Sequence, residues 1–181
     1  GKKQSTNTNE GSSIPTKPAK KKGENNTPTS TSRGSDPNEP NNVEIEKAIR
    51  EELKKPTGEL TKADLEKVTK LNLVIFGDNK LTSVKGLEKC TQLQELSISF
   101  GELTDVMALE KLVELKKLGL SFNKLTEVPK ELEKLTQLEE LELAGNQMTD
   151  VKGLEKLTEL KKLGLVGNQL TDVKGLEKLT Q

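Results

Sequence analysis

Four acidic residues recur at one position of a repeating sequence, and each of them follows a threonine. They are Asp105, Glu127, Asp150 and Asp172. Stacked carboxylates offer oxygen ligands to a hard cation such as Ca²⁺, so a cation site is one interpretation of this column. Side-chain oxygens of Thr and Asp also cap tight turns. We favour turn capping with solvated charge, and we expect no metal and no other cofactor.

Other residue types that support catalysis are scarce. The chain of 181 residues has no His, Trp or Tyr, and aromatic residues make up only 2% of it. The commonest general base is therefore missing, and there are few rings that could stack on bases or sugars. Cys90 is the single cysteine, so no intramolecular disulfide can form. It replaces a repeated leucine, which predicts a buried hydrophobic side chain. No catalytic residues are predicted, and the protein is not expected to be an enzyme.

The charge balance argues against a nucleic-acid partner. Lys and Arg number 29, Asp and Glu also number 29, and the net charge is zero. A basic nucleic-acid binder is therefore disfavoured. No apolar run approaches the roughly 18 residues that a membrane-spanning helix needs. The chain begins at Gly1 rather than Met, which predicts that a preceding segment was removed. We expect membrane contact only through a lipid anchor upstream of Gly1.

Residues 1–42 contain almost no large aliphatic side chains. Ile14 is the exception, amid Ser, Thr, Asn, Pro, Gly and Lys. Such a composition cannot bury enough apolar surface to offset the entropy of ordering. It predicts a disordered tether, in which the run Lys20-Lys21-Lys22 is part of a solvated spacer.

Residues 43–67 are predicted to form a helical cap at the N-terminal end of the fold. Ile45, Ile49 and other apolar residues recur at helical spacing. Asn42 is a suitable N-cap, and a proline ends the helix. A second short helix is expected from Thr61, which begins a capping signal.

Residues 68–181 repeat themselves with a spacing of 22 or 23 residues. One phase of the repeat is occupied by Leu81, Leu103, Leu125, Met148 and Leu170. Each unit closes with L-x-x-L-x-L-x-x-N-x-L, whose L-x-L part predicts a short strand with inward leucines. Leucines spaced by three residues are typical of 3-10-type turns. Such self-similarity predicts a solenoid of about five coils, the last of them incomplete. Because a coil cannot stand alone, we expect a fragment that lacks further repeats; the alternative is an exposed end.

An asparagine follows the predicted strand in most units. These residues are Asn79, Asn123, Asn146 and Asn168, whereas the second unit has Gly101 instead. Each side-chain amide is expected to satisfy backbone groups that the tight bend leaves unpaired. The sequence therefore predicts a structural asparagine ladder.

The first unit fits two registers. Counted back from its asparagine, the pattern uses Leu71, Val74 and Phe76. With three residues inserted before the turn, it uses Leu71 and Leu73 instead. Because side chains alternate along a strand, the choice decides whether Phe76 or Leu73 faces the core.

Outward residues of neighbouring strands should form columns about 5 Å apart. The first column alternates in charge, and the next two carry mostly small residues. The predicted partner-binding residues are Glu95, Ser97, Ser99, Lys117, Ser121, Glu140, Glu142, Lys162 and Val166. Such a smooth face is interpreted as a docking surface; the alternative is a duplicated surface without a ligand.

Phe100 and Phe122 occupy equivalent positions in adjacent units, next to the predicted strands. They are a candidate aromatic anchor, since interface energy is concentrated in aromatic and Arg side chains. We favour the alternative, in which the two rings pack over the edge of each coil.

Residues 68–181 resemble bacterial leucine-rich-repeat proteins of the short 22-residue class, which includes the internalins. The resemblance rests on the five Leu/Met positions, the four asparagines and the near-identical outer turns. It implies an α/β leucine-rich-repeat solenoid: a horseshoe with a parallel concave sheet, 3-10-type turns on the convex side and an N-terminal helical cap. It further implies that the concave face binds a protein partner, usually outside the cytoplasm.

Two functions follow as hypotheses. The first is an extracytoplasmic binding module, tethered at a bacterial cell surface as a lipoprotein, because the tail resembles the spacer of such proteins. No lipobox cysteine occurs in the sequence. The alternative is a cytoplasmic regulatory or scaffold subunit that uses the same face. No obligate oligomer is predicted.

Overall fold

Each repeat of the leucine pattern folds into one coil, made of a short strand followed by a 3-10 turn on the opposite side. The computed structural model describes residues 40–179. Its helices and strands are α1 (Pro40–Glu52), α2 (Lys62–Leu65), β1 (Lys70–Val74), β2 (Glu95–Ser99), β3 (Lys117–Gly119), β4 (Glu140–Glu142) and β5 (Lys162–Gly164). The 3-10 turns are Leu87–Lys89, Met107–Lys111, Lys130–Lys134, Leu154–Lys156 and Leu176–Lys178. We number the coils 1 to 5 after the strand that begins each of them.

The five strands form one parallel sheet in the order β1-β2-β3-β4-β5. The strand leucines Leu96, Leu118, Leu141 and Leu163 pair with one another in register from β2 to β5. The outward columns predicted from the repeat are therefore confirmed. Together with the 3-10 turns, this sheet confirms the leucine-rich-repeat solenoid.

The core is a single stack of aliphatic side chains that runs through the coils. Inward leucines of the strands and turns, such as Leu118 and Leu132, are almost completely buried. Cys90 is fully buried at the position that Leu112 occupies in the next coil. Burial raises the pKa of the Cys90 thiol to about 11, with a smaller contribution from Glu88. The buried hydrophobic role predicted for Cys90 is confirmed.

The first coil adopts the register with inserted residues. Leu71 pairs with Leu96 and Leu73 with Ile98, and both residues of β1 are buried. Phe76 is 73% exposed, so it does not face the core. Pairing continues beyond β1, where the Ile75 N–H donates to the Ser99 carbonyl at 3.0 Å. The register that buries Leu73 therefore also extends the parallel pairing of this segment with β2.

Helix α1 covers the N-terminal end of the coil stack. Ile45 and Ile49 are buried on its inner face, which packs against β1. The helix begins at Pro40, so Asn42 lies inside it, and the expectation that Asn42 is the N-cap is wrong. Proline is tolerated in the first helical turn because its missing N–H has no intrahelical acceptor there. The predicted tether otherwise lies outside the described residues.

Helix α2 begins with the capping signal expected from the sequence. The Asp64 N–H donates to Thr61 Oγ1 at 3.2 Å, and the Thr61 N–H donates to Asp64 Oδ2 at 3.0 Å. Lys55 adds a hydrogen bond to the same carboxylate at 2.6 Å. This bond and the capping bonds from Thr61 hold the Asp64 pKa well below its ordinary value. Within the described residues, no helix is long and apolar enough to cross a membrane.

Candidate protein-binding surface

The concave face of the sheet carries a continuous row of alternating charges. Lys70 Nζ lies 2.9 Å from Glu95, and Lys117 lies 4.0 Å from Glu95 and 3.5 Å from Glu140. Lys162 lies 3.3 Å from the same Glu140 carboxylate. We call these five residues the charge ladder. Each acid of the ladder has a lysine on both sides, so the ladder pairs its own charges.

Lys70 was not among the predicted surface residues. It joins the ladder only in the register that makes Leu71 and Leu73 the inward residues of the strand. That register places Lys70 opposite Glu95. The other register would have placed a different residue in this column. The repeat of Lys and Glu at this phase was the signal that could have identified Lys70.

Pairing shifts the pKa values of three ladder residues, Glu95, Glu140 and Lys70, away from neutrality. The hydrogen bond from Lys70 lowers the pKa of the Glu95 carboxyl, and the bond to Glu95 raises the pKa of Lys70. Hydrogen bonding from Lys162 lowers the pKa of Glu140. These groups therefore keep their charges at neutral pH.

The second column of the concave face is shallow and holds one unpaired acid. Ser97, Gly119, Glu142 and Gly164 are in register across β2 to β5. The Glu142 carboxylate lies over Gly164, in the space that a side chain there would fill. Glu142 is exposed, and no lysine of the described residues forms an ion pair with it. The column contributes to a depression of about 390 Å³ on the concave face.

Phe100 and Phe122 form a parallel stack at the end of their strands. Their ring centroids are 4.6 Å apart and the ring planes differ by 2°. The side chains are 53% and 51% exposed, so the rings lie on the surface and contact each other. Their backbones have φ of 61° and 56°, in the left-handed region that bulky residues rarely adopt.

Glycine occupies the equivalent position in the next two coils. Gly145 and Gly167 have φ of 67° and 77°. The backbone bonds repeat as well: the Phe122 N–H donates to Ala144 and the Gly145 N–H donates to Val166, both at 2.8 Å. The bend is thus a property of every coil from 2 to 5, and coils 2 and 3 make it with phenylalanine.

Exposed apolar side chains concentrate at this edge of the sheet. Val74 is the last residue of β1, and Phe76 follows it by two residues. Val166 occupies in coil 5 the place that Val74 has in coil 1, and it is 82% exposed. We call Val74, Phe76, Phe100, Phe122, Ala144 and Val166 the aromatic rim. The chain has three Phe and no Trp or Tyr, so its whole aromatic content is exposed on the rim.

Three asparagines, two of them buried and Asn168 half-buried, join consecutive coils behind the rim. Asn146 Nδ2 donates to the Leu120 carbonyl at 2.9 Å and the Leu143 carbonyl at 3.0 Å, and its Oδ1 accepts from the Leu125 N–H at 3.1 Å. Asn123 and Asn168 make the same kinds of bonds one coil before and one coil after. These three residues form the ladder that the sequence predicts.

Asn79 does not take part in this ladder. Its side chain is exposed and donates to Glu44 Oε1 of α1 at 3.2 Å. The longer connection after β1 carries Asn79 past the position at which its amide could reach the strand carbonyls. The expectation for Asn79 is therefore wrong, and its bond joins the first turn to α1.

Three of the four residues in the acidic column on the turn side, Asp105, Asp150 and Asp172, cap turns. Asp105 Oδ1 accepts from the Met107 N–H at 3.0 Å, and its Oδ2 accepts from the Ser83 hydroxyl at 2.9 Å. Asp150 and Asp172 accept from the N–H groups two residues later, at 3.1 and 2.9 Å. Across residues 40–179, no group of three or more His, Cys, Asp or Glu side chains is arranged to hold a metal ion.

Comparisons with known proteins agree with this architecture. A family model described as "Leucine rich repeat" matches residues 113–170. An internalin, InlF, of Listeria monocytogenes is 31% identical with a TM-score of 0.69, over 76% of this chain and 40% of that chain. A leucine-rich-repeat protein of Leptospira interrogans is 38% identical with a TM-score of 0.53, over 60% and 29%.

A third structure, internalin C2 of Listeria monocytogenes, is 24% identical with a TM-score of 0.56, over 77% of this chain and 73% of that chain. At that identity it supports the fold alone. The chain spans less than half the length of the first two structures. No curated protein sequence matches it.

Proposed function

Because the chain is a bacterial leucine-rich-repeat protein of the short, internalin-like type, we propose that it is a non-catalytic module that binds a protein partner through its concave face. The exposed stack of Phe100 and Phe122 is the observation that carries this proposal. Aromatic side chains exposed at the edge of a sheet, with none in the core, are typical of interfaces rather than of packing.

The electrostatics of the face support binding over catalysis. A general acid or base works best with a pKa near the operating pH. On the concave face the shifts run the other way: the pKa values of Glu95 and Glu140 fall and that of Lys70 rises. The two carboxylates and the lysine do not exchange protons readily at neutral pH. The ladder therefore serves as a charged, self-paired surface.

We further propose that the module works outside the cytoplasm, with residues 1–39 as a spacer to a surface anchor. The internalin-like fold and the composition of that segment support this placement. An antibody against the repeat region tests it on intact and permeabilised cells. Labelling of intact cells is expected. Labelling only after permeabilisation would instead favour a cytoplasmic scaffold.

The binding face is tested with a matched pair of charge insertions. Val166 on the rim and Met107 on the opposite, convex side are 82% and 65% exposed, so V166R and M107R add the same cation without disturbing the core. The full chain and both variants are immobilised, and proteins captured from host or bacterial extracts are compared. We expect V166R to lose a partner that M107R retains. Equal capture by all three proteins, or loss with M107R alone, would contradict the proposal.

A further inference from the structure

We propose that the aromatic rim and Glu142 together dock a peptide segment of the partner that carries an apolar side chain close to a lysine or arginine. This inference rests on the proposed function and names the chemistry that the concave face selects. Three features carry it: the backbone of the two phenylalanines, the geometry of their stack and the unpaired Glu142.

The first feature is the backbone at Phe100 and Phe122. Their left-handed φ values disfavour a side chain with a β-carbon, whereas Gly145 and Gly167 adopt the same conformation freely. Burial offsets that cost only in part, because both rings remain about half exposed. Residues held in unfavourable conformations cluster at functional sites. Coils 2 and 3 therefore retain phenylalanine where glycine would fold more easily.

The second feature is the arrangement of the rings. Phe122 lies over Gly145, where a β-carbon would stand 2.5 Å from its Cδ1 atom, and Phe100 stacks on the other side of it. The two rings hold each other in place before any partner arrives, so little side-chain entropy remains to be lost on binding. About half of each side chain remains accessible to a partner. Ala144 and Val166 continue this apolar surface toward coil 5.

The third feature is the charge beside the rim. Of the three carboxylates in β1 to β5, Glu95 and Glu140 are paired with lysines. Glu142 has no such partner among residues 40–179. The equivalent positions in coils 2, 3 and 5 are Ser97, Gly119 and Gly164, which leave the carboxylate accessible and without a competing cation. Charge complementarity thus selects a cationic side chain.

The distance between Glu142 and the aromatic rim sets the spacing between the basic and the apolar residue of the partner's segment. Glu142 precedes Ala144 by two residues, a rise of roughly 7 Å along an extended strand. An extended peptide spans the same distance between residues i and i+2, whose side chains share a face. The preferred segment therefore has an apolar residue two positions from a Lys or Arg, with one residue between them.

A phage-displayed library of random 12-residue peptides, selected on the immobilised full chain, tests the proposal. We expect the bound peptides to be enriched in Leu, Phe or Met with Lys or Arg two positions away. The variant E142Q is expected to lose the basic preference, by up to about fivefold in affinity for a selected synthetic peptide. It should keep the preference for apolar residues.

The double variant F100G/F122G places at both positions the residue that coils 4 and 5 already use, so the fold is expected to persist, as a thermal melt would verify. Affinity for the same peptide should fall by roughly tenfold or more. Enrichment of acidic peptides, or unchanged affinity in both variants, would overturn the proposal. If no peptide is enriched, this inference fails. The proposed function is then still decided by the capture experiment with V166R and M107R.

Discussion

The ring of Phe122 lies against the backbone of Gly145, so closely that a β-carbon at Gly145 would stand 2.5 Å from the ring Cδ1. Coil 4 therefore needs glycine for two reasons, the left-handed backbone and the ring above it. At Gly167 only the first reason is strong, because the nearest atom to a β-carbon there is the Gly145 nitrogen at 3.3 Å.

The pair G145A and G167A separates these two reasons. Each alanine carries the cost of a left-handed L-residue, about 1–2 kcal/mol. G145A must also displace the Phe122 ring, which adds roughly 1 kcal/mol or more, as overpacking does. Urea unfolding should therefore show the larger loss of stability for G145A. Equal losses would mean that the ring moves aside without cost.

The asparagine ladder predicts a strong contrast between Asn146 and Asn79. N146A leaves the buried Leu125 N–H without its acceptor. It also removes one bond each to the carbonyls of Leu120 and Leu143, which keep the bonds from Asn123 and Asn168. With one buried N–H left unpaired, at roughly 1–3 kcal/mol, and two further bonds lost, the loss should be about 2–3 kcal/mol. N79A removes one exposed bond to Glu44 and should change stability by less than about 0.5 kcal/mol. Denaturant midpoints measure both, and comparable losses would contradict the ladder.

Stability should decrease in acid because paired carboxylates lose their lysines' hydrogen bonds when they are protonated. Bonds from Lys124 and Lys80 lower the pKa of Glu102 from its ordinary value of 4.5, and that of Glu139 is lowered by Lys161. The unfolded chain then binds more protons than the folded chain around and below pH 4.5, so the free energy of unfolding falls as pH falls through that range. It should stay nearly flat between about pH 6 and pH 8 from these groups.

The variant K124Q tests the attribution of this pH dependence to Glu102. Removing the lysine that contributes most to its lowered pKa should reduce the slope of stability against pH between about pH 3 and pH 5. Adding 1 M salt should reduce the slope of the wild type in the same direction, because exposed ion pairs are screened. An unchanged slope in K124Q would assign the acid sensitivity to other carboxyls.

Cys90 should be inert to thiol reagents in the folded protein. Its side chain is fully buried and its pKa is raised to about 11, so the reactive thiolate is scarce at pH 8. A colorimetric disulfide reagent should detect no free thiol in native protein, and one thiol per chain in guanidinium chloride. Rapid reaction of the native protein would show that coil 1 opens.

The spacing of the leucines was sufficient to predict coils 2 to 5. Alternation along each strand and the near-constant period fixed which leucines face inward and which outward residues share a column, as the pairs of Glu95 with Lys117 and Glu140 with Lys162 show. In each of these coils the local pattern and the stacking of neighbours require the same register, so the sequence and the tertiary structure agree.

Coil 1 depended on the tertiary structure. Its leucines fit two registers, and pairing of β1 with β2 selects the one that buries Leu73, exposes Phe76 and brings Lys70 to the charge ladder. The Phe100–Phe122 stack was also beyond the pattern, since the contact depends on a left-handed bend at both residues. The period of a sequence predicts only the features that repeat. The place of an insertion depends on hydrogen bonds and packing with the neighbouring coil. The same holds for a bend that some coils make with glycine and others with phenylalanine.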